Sequence, residues 1–415
     1  MGRILIDLTD IEGWSGIHGG TQRVVYGIAK YFYLQRNDLK EKVQFISFSA
    51  EEKRFFVSSF QPIYERVEKL MPSVSVAAPV ASPLTLKGKL KRRLKPYVLA
   101  RFHSKPAPLP REWIAFKKSD TVLMLGKPWD NPDIQATLTA ERKRVHFQLA
   151  QVVYDLIICL YPHLHHPSLV EPYTKHMIEA IKHSDLLLPI SKSSKRDLIK
   201  FAKLHSISAP KTKVIRLGDT LAGRGKDEKP KKPDERIGKN FILCVGTVEI
   251  RKNHTLLYYT YKLAAEKGIE LPQLVVVGTP GWLSGDTQHL IATDPAIKDK
   301  IIMLHSVEDA GLTWVYEHCL FTIYPSMYEG WGLPIAESLA YGKACLASRA
   351  SSMPEVGGNL IDYFSPYDPG ECLKKIASYT DADLRKKKEK AIRADYTLTS
   401  WEDTFRQVLG YIRER

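Results

Sequence analysis

The 415-residue chain has no apolar run approaching the about 18–20 residues that a membrane-spanning helix needs. It has five cysteines, Cys159, Cys244, Cys319, Cys345 and Cys372, and no C-x-x-C pair. An odd, scattered set excludes a disulfide scaffold and a zinc cluster and reads as reduced thiols of a cytosolic protein. Asp7 falls where a signal peptide would stay apolar, so the start is read as the first strand of a domain rather than as a leader. D-x-D occurs once, at Asp381-Ala-Asp383 before a charged helix, where a helix cap is the simpler reading and no metal is expected. Acid is missing from one long stretch. Between Glu68 and Glu112 there is no Asp or Glu, while Lys69, Lys87, Lys89, Lys91, Arg92, Arg93, Lys95, Arg101, Lys105 and Arg111 carry ten of the net +15 charges. That insert, 69–111, implies an anionic partner, and the segment 87–105 has the basic, part-apolar make-up of a membrane-surface helix. The chain lacks helix-turn-helix, zinc and RNP-like motifs, which argues against nucleic acid as the partner.

What is present is an ordinary globular mixture, 44% hydrophobic and 26% charged, long enough for two domains. Arg3–Thr9 reads as a buried strand, a glycine loop follows, and Thr21–Gln35 reads as an amphipathic helix. Further strands are expected at Val43–Phe48, Thr121–Leu125, Ala150–Tyr154, Leu186–Ile190 and Lys213–Arg216. Residues 220–239, polar and rich in Lys, Pro and Gly, read as a linker. The alternation then restarts: strands at Asn240–Val245, Leu274–Val277, Ile301–Leu304, Leu320–Tyr324 and Ala344–Ala347, with helices at Asn253–Lys267 and Pro334–Tyr341. This predicts an α/β protein of two doubly wound, Rossmann-like domains, 1–219 and 240–398, facing a central cleft. Residues 399–415, capped by Ser400, form a last helix expected to return to the first domain.

Three strings could carry chemistry. Glu329-Gly-Trp-Gly-Leu-Pro-Ile-Ala-Glu337 follows a strand and opens a helix. Gly330 and Gly332 allow a tight turn, Pro334 suits a first helical turn, and two carboxylates eight residues apart can face one polyhydroxyl ligand. Gly246-Thr-Val-Glu-Ile-Arg251-Lys252-Asn253-His254 sets two cations at a helix start, against the helix dipole, a conflict that a diphosphate would relieve. His18-Gly19-Gly20-Thr21 is a glycine turn that would let a phosphate or sugar approach backbone N–H groups. For each, the plainer alternative is a solvated loop or a structural turn.

Together these strings resemble glycosyltransferase family 4, retaining enzymes of the GT-B fold. The likeness is most specific over the C-terminal half and looser over the glycine loop, Val153-Tyr154-Asp155 and the Pro189–Ser191 segment. It implies that Arg251 and Lys252 hold the diphosphate of a sugar nucleotide, that Glu329 contacts the transferred sugar, and that Asp155 lies on the sugar or acceptor side. Glu337 would hold the ribose, with Gly332 and Leu333 near sugar and phosphate, Val307 beside the base, Gly19 and Gly20 across the diphosphate, and Ser191 on the donor side. Where relatives have His-Asp this chain has Tyr154-Asp155, leaving His163, His165 and His166 as substitutes. The implied reaction needs a nucleotide-sugar donor, a saccharide or lipid-linked acceptor, and no cofactor. The wording around Gly246 and Gly278–Trp282 looks most like members that use GDP-mannose in surface polysaccharide assembly, on the cytoplasmic face of the membrane. A nucleotide-sugar epimerase or phosphorylase on the same fold, a basic nucleic-acid-binding protein and a catalytically silent scaffold are the competing readings.

Overall fold

Short apolar runs that can be buried on both faces build two sheets in the computed structural model, which describes residues 2–14, 20–70, 111–219, 230–305 and 307–414. The first contains β1 (Arg3–Asp7), β2 (Lys42–Ser49), β3 (Arg54–Ser58), β4 (Thr121–Met124), β5 (Gln148–Val153), β6 (Leu186–Pro189) and β7 (Lys211–Thr212), in the order β3-β2-β1-β4-β5-β6-β7. The second contains β8 (Phe241–Val245), β9 (Gln273–Val277), β10 (Ile301–Leu304), β11 (Phe321–Tyr324), β12 (Cys345–Ser348) and β13 (Asp362–Phe364), in the order β10-β9-β8-β11-β12-β13. Ile4 lies opposite Val43 and Thr121, and Ile242 opposite Leu274 and Phe321. In each sheet the order reverses beside the first strand, between β1 and β4 and between β8 and β11. Loops leaving the carboxyl ends at such a reversal diverge and open a crevice, and here the two crevices face one another.

Two expectations need correction. The first sheet is not wholly parallel: β3 pairs antiparallel with β2, Phe48 opposite Phe55, as an edge strand. The seventh strand forms at Lys211–Thr212 rather than Lys213–Arg216, although Lys213 and Ile215 still donate to Leu187 and Pro189 carbonyls at 3.0 Å. Within the stretch expected as linker, residues 230–239 pack on the second sheet: Ile237 is buried among Phe241, Val275 and Tyr316. Residues 220–229, the glycine-loop residues His18 and Gly19, and nearly all of the basic insert lie outside the described residues.

The last helix, Trp401–Arg413, starts with a capping box between Ser400 and Asp403 and lies against the helix Gly20–Leu34, with Phe405 edge-on to Phe32 at 4.7 Å. Trp401 enters this seam between Gly27 and Gly218, where any Cβ would run into the indole. Asp219 fixes the point where the chain returns to the first sheet: its carboxylate accepts from Tyr396 Oη at 2.8 Å and Thr399 N at 3.0 Å. Cys244, Cys319, Cys345 and Cys372 are buried and Cys159 is partly so. Burial pushes all five thiols up to about 12, so none is a nucleophile at neutral pH.

Among the described residues, no helix is long and apolar enough to cross a membrane.

Candidate active site

The two loops at the β8/β11 reversal bring the predicted groups together. After β8 the chain turns at Gly246, whose φ of 149° suits glycine, and reaches a short turn, Ile250–Lys252. Asn253 ends that turn in the left-handed region, and its Nδ2 donates to Pro325 O (3.0 Å) and Pro366 O (2.8 Å), tying this loop to the one after β11. Arg251 Nη1 then meets Glu329 Oε2 at 2.6 Å, Arg251 Nη2 meets Glu249 Oε1 at 2.6 Å, and Lys252 Nζ meets Glu329 Oε1 at 2.7 Å. Burial alone would raise the Glu329 carboxyl, but Arg251 and Lys252 together hold it at about 2. Burial raises Glu249, with Arg251 and Lys252 opposing, and it raises Asp155, with Arg251 opposing.

Glu337 is reached from two sides: Tyr316 Oη donates to it at 2.8 Å, and Arg23 Nη1 pairs with it at 3.0 Å from the other domain. Gly332 (φ 134°) precedes the helix Leu333–Ala340, with Pro334 in its first turn. A Cβ on Gly20 would stand 3.7 Å from Leu333 across the gap. Arg251, Lys252, Glu329, Glu337, Asp155, Gly20, Gly332, Leu333 and Val307 all line one cleft of about 620 Å³ between the domains.

The domains meet closely around this cleft. A Cβ on Gly330 would lie 2.6 Å from Tyr154 O and 3.1 Å from Asp155 Cβ, so only glycine fits. Tyr328 Oη donates to Asp197 at 2.7 Å. Glu355 accepts from Lys192 N and Ser193 N, both at 2.7 Å, at the start of the helix Lys192–Leu204. Trp282 Nε1 donates to Leu164 O at 3.2 Å, and its ring stacks on His165 with centroids 5.4 Å apart.

Ser191 does not join the cluster. It is fully buried, and its Oγ caps the helix Lys192–Leu204 by accepting from Ser194 N at 2.9 Å. Tyr154 is committed as well, donating to Leu125 O at 2.6 Å. Of the three histidines, His163 and His166 are exposed. His165 is buried, and burial first, then Arg251, depress it to about 4, so it is neutral at pH 7. Its two ring nitrogens have no hydrogen-bond partner among the described residues. Asp381 caps its helix, accepting from Asp383 N at 2.8 Å. Sequence reasoning missed Arg23, Glu249 and Tyr316. Arg23 had a signal: it is a cation in the first turn of a helix, against the dipole.

Residues 225–396 match the profile of the glycosyl transferases group 1. This segment belongs to that glycosyltransferase family. The glycosyltransferase segment contains Arg251, Lys252, Glu329 and Glu337, whereas Arg23, Asp155 and His165 come from the domain before it. The chain is 27% identical over 207 residues to O-antigen chain mannosyltransferase B of Escherichia coli, covering 50% of this chain and 54% of the relative. It is 27% identical over 280 residues to the serotype-specific mannosyltransferase WbdA of Escherichia coli, covering 65% and 34%. It is 28% identical over 231 residues to the MMP alpha-(1->4)-mannosyltransferase of Mycolicibacterium hassiacum, covering 54% and 53%. The matches thus span about half of these relatives' length or less. Among solved structures, Anabaena HepE in complex with UDP and glucose superposes with a TM-score of 0.61 at 13% identity, covering all of both chains. Sucrose-phosphate synthase from Thermosynechococcus elongatus gives 0.58 at 14%, covering 100% and 99%. At such identities the superpositions show a shared fold alone.

Proposed function

We propose that the chain is a retaining, metal-independent hexosyltransferase that moves a sugar, with mannose from GDP-mannose as the first expectation, to a hydroxyl of a saccharide or lipid-linked saccharide. The observation that carries this reading is the pair Arg251 and Lys252, both held by Glu329 in the cleft between two Rossmann-like domains. Two fixed cations in a part-buried cleft are suited to charge that develops on a departing diphosphate, because they need no reorganisation when it appears. Glu337, oriented by Tyr316, would take the ribose hydroxyls in place of Arg23, and Glu329 would take hydroxyls of the transferred sugar. In the step itself the acceptor oxygen bonds to the anomeric carbon, the bond from that carbon to phosphate breaks, and the acceptor proton passes to the leaving phosphate oxygen. Positive charge from Arg251 and Lys252 serves where a divalent metal would otherwise be needed. The mannosyltransferase relatives favour mannose as the sugar. The charge of segment 87–105, which lies outside the described residues, favours an anionic lipid surface on the cytoplasmic side of a membrane as the setting of the reaction. Liposome sedimentation of a variant neutralised at Lys91, Arg92 and Arg93 tests that placement.

A thermal-shift series with GDP-, UDP- and dTDP-sugars identifies the donor, since a ligand bound only to the folded state raises its stability. Transfer with the selected donor, in chelator, followed by proton NMR of the product anomer, tests the rest. GDP-mannose as the sole stabilising donor and an α-linked product are expected. Loss of transfer in chelator, or a β-linked product, refutes the mechanism.

A further inference from the structure

A second concavity lies on the first domain, away from the cleft, between the helices Pro132–Val145 and Pro167–His183. It encloses about 690 Å³. Its walls are carbon-rich: the Trp129 indole, proline rings, and Ala136 and Ala140, which leave the helix surface low. Its floor is polar and unsatisfied. Gln135 Nε2, Thr139 Oγ1 and His176 Nδ1 are buried without a hydrogen-bond partner among the described residues. Gln135 is 5% exposed and His176 8%, so both are ordered groups rather than surface side chains. The Gln135 amide is oriented, because its Oε1 accepts from Gln151 Nε2 at 3.4 Å, which leaves Nε2 as a free donor. Burial depresses His176 to about 4, so its ring is neutral at pH 7.

Buried polar groups without partners are costly, and three around one groove mark where a ligand's polar atoms belong. The chemistry narrows the ligand. Lys143 and Lys175 on the rim are balanced by Glu171 and Glu179, and Lys175 is paired with Glu171 at 2.6 Å, so no cationic excess awaits a phosphate. A hydrocarbon chain would fill the walls but strand the floor. A pyranose ring meets both: its hydroxyls pair with the amide, hydroxyl and imidazole, and its C–H face lies on the indole or the proline rings. The groove is also one ring away from the cleft. Trp129 packs edge-on to Tyr154 (6.3 Å) and to Tyr173 (5.0 Å). Tyr154 lines the cleft, and Tyr173 Oη donates to Asp155 O at 2.6 Å.

We propose that this groove is a saccharide-binding site that grips a ring of the acceptor chain remote from the reacting end. Its role rests on the glycosyl-transfer reading, but its binding does not. The test is equilibrium dialysis of radiolabelled α-mannotriose with the full chain, beside two variants. Ala136→Trp fills the groove from an exposed position, and Gln135→Leu removes the free donor. Thermal shift with GDP monitors the cleft of each protein. Mannotriose should bind the wild type, weaken about tenfold or more with Ala136→Trp, and leave the GDP shift unchanged. In turnover, Ala136→Trp should raise KM for mannotriose without lowering kcat. Binding that Ala136→Trp removes, in a chain that transfers no sugar, keeps this inference and ends the glycosyl-transfer reading. Absence of wild-type binding, binding indifferent to Ala136→Trp, or displacement of mannotriose by a prenyl alcohol overturns the inference.

Discussion

Glu329→Gln separates the electrostatic design of the cleft from its shape. The carboxyl is 11% exposed and shares its two oxygens between Arg251 and Lys252 at 2.6 and 2.7 Å. Its pKa falls from 4.5 to about 2 on folding, with burial opposing and the two cations prevailing. Because the folded value is the lower one, the stabilisation is complete above pH 4.5 and disappears as pH falls towards 2. At about 1.4 kcal/mol per pH unit, the gap corresponds to about 3 kcal/mol at pH 7 and about half of that at pH 3. The variant keeps the volume but strands Lys252 and leaves Arg251 to Glu249 alone, so it should be about 3 kcal/mol less stable at neutral pH, in the range found when one partner of a buried pair is removed. Urea unfolding of both proteins at pH 7, 5 and 3 measures this: the difference should hold between pH 7 and 5 and shrink at pH 3. The same change frees Lys252 and the Nη1 edge of Arg251 for phosphate, so a nucleoside diphosphate should bind the variant more tightly while transfer drops by about a hundredfold or more. A difference in stability independent of pH, or weaker diphosphate binding, refutes the argument that Glu329 neutralises the pair in the free protein.

Gly330→Ala places a Cβ 2.6 Å from Tyr154 O, so the domains must separate; about 1–3 kcal/mol of stability should be lost, and small-angle scattering should report a larger radius of gyration. Glu355→Ala uncaps the helix Lys192–Leu204 across the domain boundary and should cost about 1 kcal/mol in thermal unfolding, with the helix content at 20 °C unchanged. Asp7 is buried, and burial raises it to about 7 despite two hydrogen bonds donated by Thr9 N and Thr9 Oγ1. Its folded value is the higher one, so ionisation destabilises the protein as pH rises from about 4 to 7, and Asp7→Asn should gain stability relative to wild type over that interval. An advantage that stays flat from pH 4 to 8 removes Asp7 as the cause.

The parts legible in the sequence are those fixed by short-range chemistry. The runs at β1, β8 and β11 announce buried parallel strands because their apolar residues are continuous, and Gly332-Leu-Pro334 announces a helix start because proline is favoured in a first helical turn, where its missing N–H has no partner to lose. The edge strand β3, Arg-Phe-Phe-Val-Ser, is equally apolar, but its direction depends on a partner that local sequence does not name. Glu329 and Arg251 are 78 residues apart, and what brought them into one reading was the resemblance of their two strings to one family; the charge conflict at Arg251 and Lys252 called for a diphosphate as its anion. The anion in the free protein proves to be Glu329 itself. The pairing of Arg23 with Glu337 was harder to see, because the two residues are 314 positions apart and in different domains, and neither string contains the other's charge. Ser191 shows the opposite error: a hydroxyl in a promising string is consumed by the nearest backbone N–H group, at 2.9 Å, before any ligand can claim it. A local motif therefore proposes a ligand only after its own helix caps are satisfied. Arg23 passes that condition because a cation has nothing to cap at a helix start, and Arg251 and Lys252 pass it because they lie in the short turn before their helix.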